Sequence, residues 1–386
     1  MKRSFSTLRV KGFRHLRDLD LSLKPLNVLI GANGVGKTSI LEVIRLLAAS
    51  AEGKLQETIN KVGGFGSVLT LGQTEPMQFA VAMPVENEET LEYGLSLQQS
   101  GTGYWLPQEC LSQIGHKKGA KGPPFKFIDS AGNDIRYFDP AAKKLQPPNW
   151  EYKPLETSLA QVPKMFREAE RFRNALASST LYHVLDVSPR APVRLPQPMR
   201  PVLSPGQNGE DLVSCLYFLR ETERDRFEAI EDTLRAAFHN FERMDFPPAA
   251  AGSLTLAWRE RPYPHPLYAH QLSEGSLRFL CLVTLLQSPE LPTVTLIDEP
   301  EVSLHPEMLR LLAELLREAA DRTQLIVATH SERLVRFLEP EEIIACDLDE
   351  SGATRAARAS ELDLAAWLEE YTLDQLWGLG RLGGRA

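Results

Sequence analysis

The stretch "LNVLIGANGVGKTSILEVIRLLAA" (26–49) decides how this chain reads. "LNVLI" (26–30) is a short apolar run ending at a glycine, the pattern of a strand buried on both faces. In "TSILEVIRLLAA", Ile40, Val43, Ile44 and Leu47 recur at helical spacing. Between them "GANGVGKT" (31–38) matches G-x-x-x-x-G-K-[ST] in the strand–loop–helix context the motif needs. Gly31, Gly34 and Gly36 let the backbone curl until successive N–H groups point at phosphate oxygens, and the helix adds its positive end. Lys37 is placed to bridge β- and γ-phosphates, and the Thr38 hydroxyl to ligate Mg²⁺.

"TVTLIDEP" (293–300) supplies the complement. Asp298, at the carboxyl end of an apolar strand, suits Mg²⁺ held through a water, and Glu299 suits orienting or deprotonating an attacking water. Alone, an Asp-Glu pair after a strand is more often a solvated loop start. In one chain with a phosphate loop it reads as the acidic half of an ATP-hydrolysing site, with ATP and Mg²⁺ as the expected ligands. "EVSLHP" (301–306) follows directly, and "QLIVATH" (324–330) is the next buried strand. His330 at its end is placed to hydrogen-bond a γ-phosphate.

Working outward, "DLDLSLK" (18–24), "MQFAVAM" (77–83) and "LEYGLSLQ" (91–98) alternate apolar and polar residues, as half-buried antiparallel strands do. From about 100 to 205, "SGTGYW", "GHKKGAKGPPFK" and "SPRAPVRLPQPMRPVLSPGQNG" read as loops or linkers around a few short elements, with one helical piece, "PKMFREAERFRNALAS", between them. Residues 209–239 read as helical, opening on Glu210-Asp211. "SLTLAW" (253–258) reads as an antiparallel strand, and "QLSEGSLRFL" (271–280) as a polar turn entering a helix that runs to Gln287. A further helix spans 306–320 with Pro306 in its first turn. Apolar strands alternating with helices imply a largely parallel sheet covered on both faces. The expected fold is α/β, with a mostly parallel core sheet, an antiparallel β subdomain and a helical insertion. Its expected regions are an N-terminal lobe carrying the phosphate loop (1–100), a lid- or arm-like insertion of loops and helices (101–250) and a C-terminal lobe (251–386).

The 386 residues are 43% hydrophobic and 24% charged, the balance of a globular protein. Cys110, Cys215, Cys281 and Cys346 show no Cys-x-x-Cys spacing, which argues against a disulfide framework or zinc site and for a reducing compartment. No apolar run approaches the ~20 residues of a membrane helix, and "MKRSFSTLRVKGF" lacks the apolar core of a signal peptide. The expected location is the cytoplasm, with no membrane partner. A net charge of −8 gives no global attraction to nucleic acid, so DNA contact requires a local patch.

Taken in order, these motifs resemble the ATP-binding-cassette (ABC) class of P-loop ATPases, in the branch of RecF, SMC proteins and OLD-type ATPases. "LRVKGFRHLRDLDLSLKPLNVLIGANGVGKTSILE" carries that branch's amino-terminal pattern, and "LSEGSLRFL" is similar to its signature sequence. "TLIDEPEVSLHP" resembles its Walker B and D-loop, and "QLIVATHS" its histidine switch. The likeness covers residues 1–50 and 270–335. It implies a P-loop NTPase head of ABC type, with nucleotide contacts from Asn33, Gly34, Val35, Gly36, Lys37, Thr38 and Ser39. Lys37, Glu299 and His330 would be catalytic. Mg²⁺ would be held at Thr38 and Asp298 with a sensing glutamine, for which Gln73 in "LTLGQTEP" is the candidate and Gln78 the reserve.

In such proteins the signature turn covers the γ-phosphate held by a second head. That gives Ser273 and the backbone of Gly275 a ligand in trans, and implies an ATP-dependent homodimer. It also accounts for a turn suited to an anion without a lysine. The familiar signature has two glycines after the serine; here Glu274 takes the first of those places and Ser276 follows, as in small stand-alone members. Between Lys37 and Ser273 this chain has loops and helices where SMC proteins have a long coiled coil. Asp347 and Asp349 in "IIACDLDESG" (343–352) suggest a TOPRIM nuclease site, but the chain after His330 is too short for that domain, so the segment reads as a strand and turn.

Three functions compete. The first is an ATP-gated switch acting on DNA or on a separate nuclease or toxin effector, in genome maintenance or phage defence as the resemblance implies. "HKKGAKGPPFK" (116–126), Arg190, Arg194 and Arg200 are its candidate phosphate-backbone contacts, although such runs are more often merely solvated. The second is the ATPase subunit of a membrane transporter, which a double-glycine signature and a shorter gap would favour. The third is a nucleotide-dependent scaffold with little turnover, against which the Asp298-Glu299 pair argues.

Overall fold

The computed structural model describes residues 4–85, 89–115, 124–363, 367 and 370–382. The chain begins with β1 (Thr7–Phe13), β2 (Leu16–Ser22), β3 (Leu26–Ile30), α1 (Lys37–Ala51) and α2 (Leu55–Lys61). Strands β4 (Met77–Pro84), β5 (Glu89–Ser100), β6 (Gly103–Gly115), β7 (Phe125–Ser130), β8 (Tyr137–Asp139) and β9 (Lys144–Gln146) follow. Then come α3 (Ser158–Gln161), α4 (Arg167–Ala177), β10 (Thr180–Tyr182), β11 (Gln197–Pro198), α5 (Leu212–Thr222) and α6 (Arg224–Ala237). After β12 (Phe241–Asp245), β13 (Ser253–Leu254), β14 (Ala257–Glu260) and β15 (Leu267–Tyr268) comes α7 (Glu274–Gln287). The chain closes with β16 (Val294–Asp298), α8 (Met308–Ala320), β17 (Gln324–Ala328), α9 (Glu332–Val335), β18 (Ile343–Leu348), β19 (Thr354–Arg358) and α10 (Leu373–Gly378).

A six-stranded sheet in the order β10-β16-β17-β3-β18-β19 is the frame of the molecule. All its pairings are parallel except β18 with β19. Burial on both faces follows from the side-chain period of two. In β3, Leu26, Val28 and Ile30 enter one core and Leu29 the other; in β17, Leu325 and Val327 divide from Ile326 and Ala328 in the same way. One core is filled by α5, α6, α7 and α8. The other is filled by α1, α4 and the inner face of an eight-stranded antiparallel sheet, β2-β1-β4-β5-β6-β7-β8-β9.

That second sheet is larger than the sequence suggests. Parts of "SGTGYW" and "GHKKGAKGPPFK", which read as loops, belong to strands over 103–115 and 125–130, and two short strands over 137–139 and 144–146 extend the sheet. Register shifts between Ser96 and Gln98 and between Leu111 and Ser112 break the alternation that would have marked them. The helical stretch 209–239 divides into α5 and α6 because Glu223 leaves helical geometry (φ −131°, ψ 58°). "SLTLAW" likewise splits into β13 and β14. The helix expected from Pro306 begins at Met308 with Glu307 as its N-cap. Among the described residues no helix is long and apolar enough to cross a membrane.

Candidate functional site at the carboxyl ends of the parallel strands

Strand order decides what meets here. β16, β17 and β3 are neighbours, with Asp298 opposite Ala328 and Ala328 opposite Leu29. Their carboxyl ends therefore open side by side into the crevice where parallel sheets bind ligands. Gly31, Gly34 and Gly36 carry φ of 143°, 81° and 102°, values that strain any residue with a Cβ. Two of them also admit no side chain. A Cβ on Gly31 would run into the Cys346 carbonyl oxygen, and one on Gly36 would lie 2.5 Å from Thr354 Oγ1. Thr354 Oγ1 donates to the Val35 carbonyl (2.8 Å), and Val35 itself is buried, so the loop is held from behind. In front, Asn33, Gly34 and Thr38 are exposed while Ser39 is buried. α1 has Gly36 as N-cap, no side-chain cap and no acidic residue in its first turn. Its leading N–H groups thus lack a side-chain acceptor, which fits a phosphate.

The buried Lys37 ammonium donates to the carbonyls of Gly31 (2.6 Å) and Ala32 (2.9 Å), and lies 3.3 Å from His330 Nδ1. His330 Nε2 in turn faces Glu299 Oε1 at 3.5 Å. An ammonium can only donate, so Nδ1 accepts and the ring proton sits on Nε2, pointing at Glu299. Burial lowers the pKa of both Lys37 and His330, and the neighbouring ammonium lowers the histidine further. Burial, then the adjacent Glu299, raises Asp298. Glu299 takes φ of 50° while its N–H still donates to the Ala328 carbonyl (2.8 Å). Its backbone thus stays tied to the strand end as the chain turns left-handed there.

Three residues of this cluster escaped the sequence reading. Glu301 Oε1 accepts from Thr329 Oγ1 (2.6 Å) and the His330 N–H (2.9 Å), fixing the histidine's backbone; burial raises its pKa, and its Oε2 is buried with no hydrogen-bond partner. Only its place three residues after Asp298 marked it. His183, just past β10 at the sheet edge, reaches Asp298 at 3.9 Å and carries no sequence signal. Thr354, behind the loop, carries none either.

The signature turn lies on other elements, at the start of α7, which packs on the opposite face of the parallel sheet from α1. Ser273 is the N-cap of α7, accepting from the Ser276 N–H (3.1 Å). It is exposed, and its described side-chain hydrogen bonds close on Ser276 and not on the phosphate loop of its own chain. Gly275 sits so close to the Ser303 carbonyl oxygen that a Cβ would collide with it. Glu274 is 61% exposed and turned toward Arg278 (3.5 Å). Arg278 also donates to Ser303 Oγ and to the Leu185 carbonyl (3.2 Å).

The remaining expected residues have the following surroundings. Gln73 lies against Gly12, its N–H donating to the Thr70 carbonyl, and Gln78 is exposed on β4. Asp349 holds a turn, accepting from the Ser351 and Ala353 N–H groups, and hydrogen bonds led by the Ser351 hydroxyl pull its pKa down to about 2. Of the basic residues, 116–123 lie outside the described residues and Arg190 is exposed. Arg200 is paired with Asp211 while its side chain stays about half exposed, and Arg194 donates to backbone carbonyls. Among the described residues no group of three or more His, Cys, Asp or Glu could hold a metal ion. A P-loop site does not require one, because Mg²⁺ keeps several waters and takes phosphate oxygens with one or two protein ligands.

The sequence model of the family described as "AAA domain, putative AbiEii toxin, Type IV TA system" matches residues 26–336. The OLD nuclease of Thermus scotoductus is 55% identical over 40 residues, 10% of this chain and 8% of that protein. The DNA replication and repair protein RecF of Salmonella arizonae is 53% identical over 45 residues, 11% of this chain and 13% of that one. Both matches thus span a small part of those relatives. In fold, the chain is similar to an SMC head bound to the C-winged helix domain of ScpA, with TM-score 0.56, 13% identity, and 92% and 97% of the two chains covered. It is also similar to an SMC head with an extended coiled coil bound to the C-terminal domain of ScpA derived from Pyrococcus furiosus, with TM-score 0.54, 11% identity, and 95% and 99% covered.

Proposed function

The chain belongs to the "AAA domain, putative AbiEii toxin, Type IV TA system" family, and from that premise we propose that it is an ATP-hydrolysing switch whose two heads close around ATP. The observation that carries this reading is the line Lys37–His330–Glu299 laid across the mouth of the phosphate loop. The N–H groups from Asn33 to Ser39 cradle the phosphates, and Lys37 moves from the Gly31 and Ala32 carbonyls to the β- and γ-oxygens. Thr38 and Asp298 would hold Mg²⁺, which when bound neutralises phosphate charge and draws the leaving oxygen's electrons. Glu299 orients the attacking water and takes its proton. His330, neutral and with its proton on Nε2, donates to the γ-phosphate. Ser273 and the Gly275 N–H come from the second head, which accords with the exposure of Ser273 and with its side-chain bonds closing on Ser276 and not on its own loop.

Closing and opening of the heads acts on DNA or on a partner protein. The RecF relative supports the first, and the engagement of Arg194 with backbone carbonyls favours the second. The test is Glu299→Gln, followed by light scattering and phosphate release with and without ATP. We expect a long-lived ATP-dependent dimer and turnover at least ~10²-fold down, the scale of losing a general base. A variant that stays monomeric with ATP overturns the two-head reading. Lys37→Ala must lose ATP binding; unchanged turnover there would reject the site. Duplex DNA that alters neither turnover nor dimer lifetime shifts the reading to the protein partner.

A further inference from the structure

Arg194 lies nearly eighty residues before the signature turn, in the proline-rich stretch 189–205. Yet its guanidinium is committed to that turn. Nε donates to the Val187 carbonyl (2.6 Å), and Nη1 to the carbonyls of Ala269 (3.2 Å), His270 (3.3 Å) and Leu272 (3.0 Å). Those last three are the 3-10 turn and the linking residue that lead directly into Ser273. Nη1 carries two hydrogens and meets three acceptors, so one bond is shared, and the turn is drawn in around a single point.

The base on which Arg194 stands is rigid. Val193 beside it is fully buried and packs against Gly209. Gln197 donates to the Pro192 and Gly209 carbonyls and accepts from the Val213 N–H at the start of α5. The same segment is tied a second time, where Arg278 of α7 donates to the Leu185 carbonyl and to Ser303 Oγ. Residues 183–197 thus run from His183 beside Asp298 to the approach of the signature, pinned to the turn at one point and to α7 at another. None of the described bonds of Arg194 touches the phosphate loop, Asp298 or Glu299 of its own chain.

We propose that Arg194 is the positioning residue of the signature turn, setting the height and angle at which Ser273 and the Gly275 N–H meet the phosphate bound on the second head. The inference rests on the two-head reading above and assigns to it a residue from outside every motif. A lysine cannot replace the arginine. Its compact ammonium reaches one or two carbonyls, while the planar fork spans both the Val187 side and the 269–272 side.

Two properties separate this role from general support of the fold. Removing Arg194 weakens the meeting of two heads while leaving each head's own ATP site intact. The experiment therefore places Arg194→Ala and Arg194→Lys in the Glu299→Gln background. It measures ATP affinity by calorimetry under dilute, monomeric conditions, the dimer dissociation constant with saturating ATP by light scattering, and the thermal midpoint. We expect unchanged ATP affinity and a dimer constant raised roughly tenfold to a hundredfold for Ala and less for Lys, the scale of losing hydrogen bonds to a charged donor. A double variant that dimerises as tightly as Glu299→Gln alone overturns the proposal. So does one in which ATP affinity and the thermal midpoint fall together, which marks Arg194 as mere scaffolding. If Arg194→Ala does not fold, Arg194→Lys supplies the same comparison. Failure of Glu299→Gln itself to dimerise strikes the two-head reading and is told apart by that parent control.

Discussion

The two large sheets use buried charge in opposite ways. In the parallel sheet, ionisable groups gather at the strand ends and touch one another: Lys37 meets His330, His330 meets Glu299, and Asp298 faces His183. Their affinities for protons are displaced by burial and by each other. In the antiparallel sheet and the segments packed on it, buried carboxylates serve the backbone. Glu109 of β6 accepts from the N–H groups of Ser158 (2.6 Å) and Leu159 (2.8 Å) and from Tyr93 Oη (3.0 Å). Glu156 accepts from the N–H groups of Leu55 (3.0 Å) and Gln56 (3.3 Å), capping the start of α2. A cluster of charges that answer one another is suited to chemistry, whereas a charge answered by N–H groups is suited to wiring. On the proposed function, the antiparallel sheet is thus the support and the parallel sheet the working surface.

The sharpest way to break this contrast is to disturb the backbone of the working surface. Gly31→Ala forces a Cβ into the Cys346 carbonyl at a φ of 143°, and should cost about 3 kcal/mol or more, with loss of ATP binding. Denaturant unfolding and nucleotide binding check it, and a stable, active variant would show that the loop is not tied to β18.

Glu109→Ala leaves buried donors without an acceptor and should cost about 3 kcal/mol, yet leave turnover per folded molecule unchanged. Lost turnover at full folding would place Glu109 in the working half. The same residue gives a pH signature. Burial raises the Glu109 pKa above its ordinary value of 4.5, so the folded state binds the proton more tightly than the unfolded one. Its contribution is therefore fully present below the unfolded pKa and lost as pH rises through the raised folded value. The stability difference between wild type and Glu109→Gln, followed by denaturant titration upward from pH 4, should slope accordingly; the opposite slope would mean that the hydrogen bonds to the carboxylate outweigh its burial and lower the pKa.

The smallest effect is expected on the outer face of the antiparallel sheet. Lys11 pairs with Asp18 at 3.2 Å with both side chains largely exposed, and Lys11→Ala should shift stability by no more than ~0.5 kcal/mol. DNA-dependent turnover lost in this variant would turn that face from a support into a binding surface.

What could be read in advance divides along the same line. β3, β16 and β17 are buried on both faces, so each appears as an apolar run, and the phosphate loop needs glycines at fixed places. The strands beyond residue 100 owe their existence to pairing, and register shifts erase their period, so glycine and proline dominated the reading. Arg194 was legible only as a charge. Its partners are carbonyl oxygens, which every residue possesses and which leave no mark in a sequence.

The wall behind the phosphate loop has one more consequence. Cys346 and Thr354, against which Gly31 and Gly36 are packed, lie beyond residue 336, where the family match ends. β18 is also the strand that pairs with the free side of β3. A chain cut at 336 would keep every recognisable motif and lose the buttress that gives the first of them its shape. The support of the phosphate loop therefore extends to the β18–β19 hairpin, beyond the last of the quoted motifs.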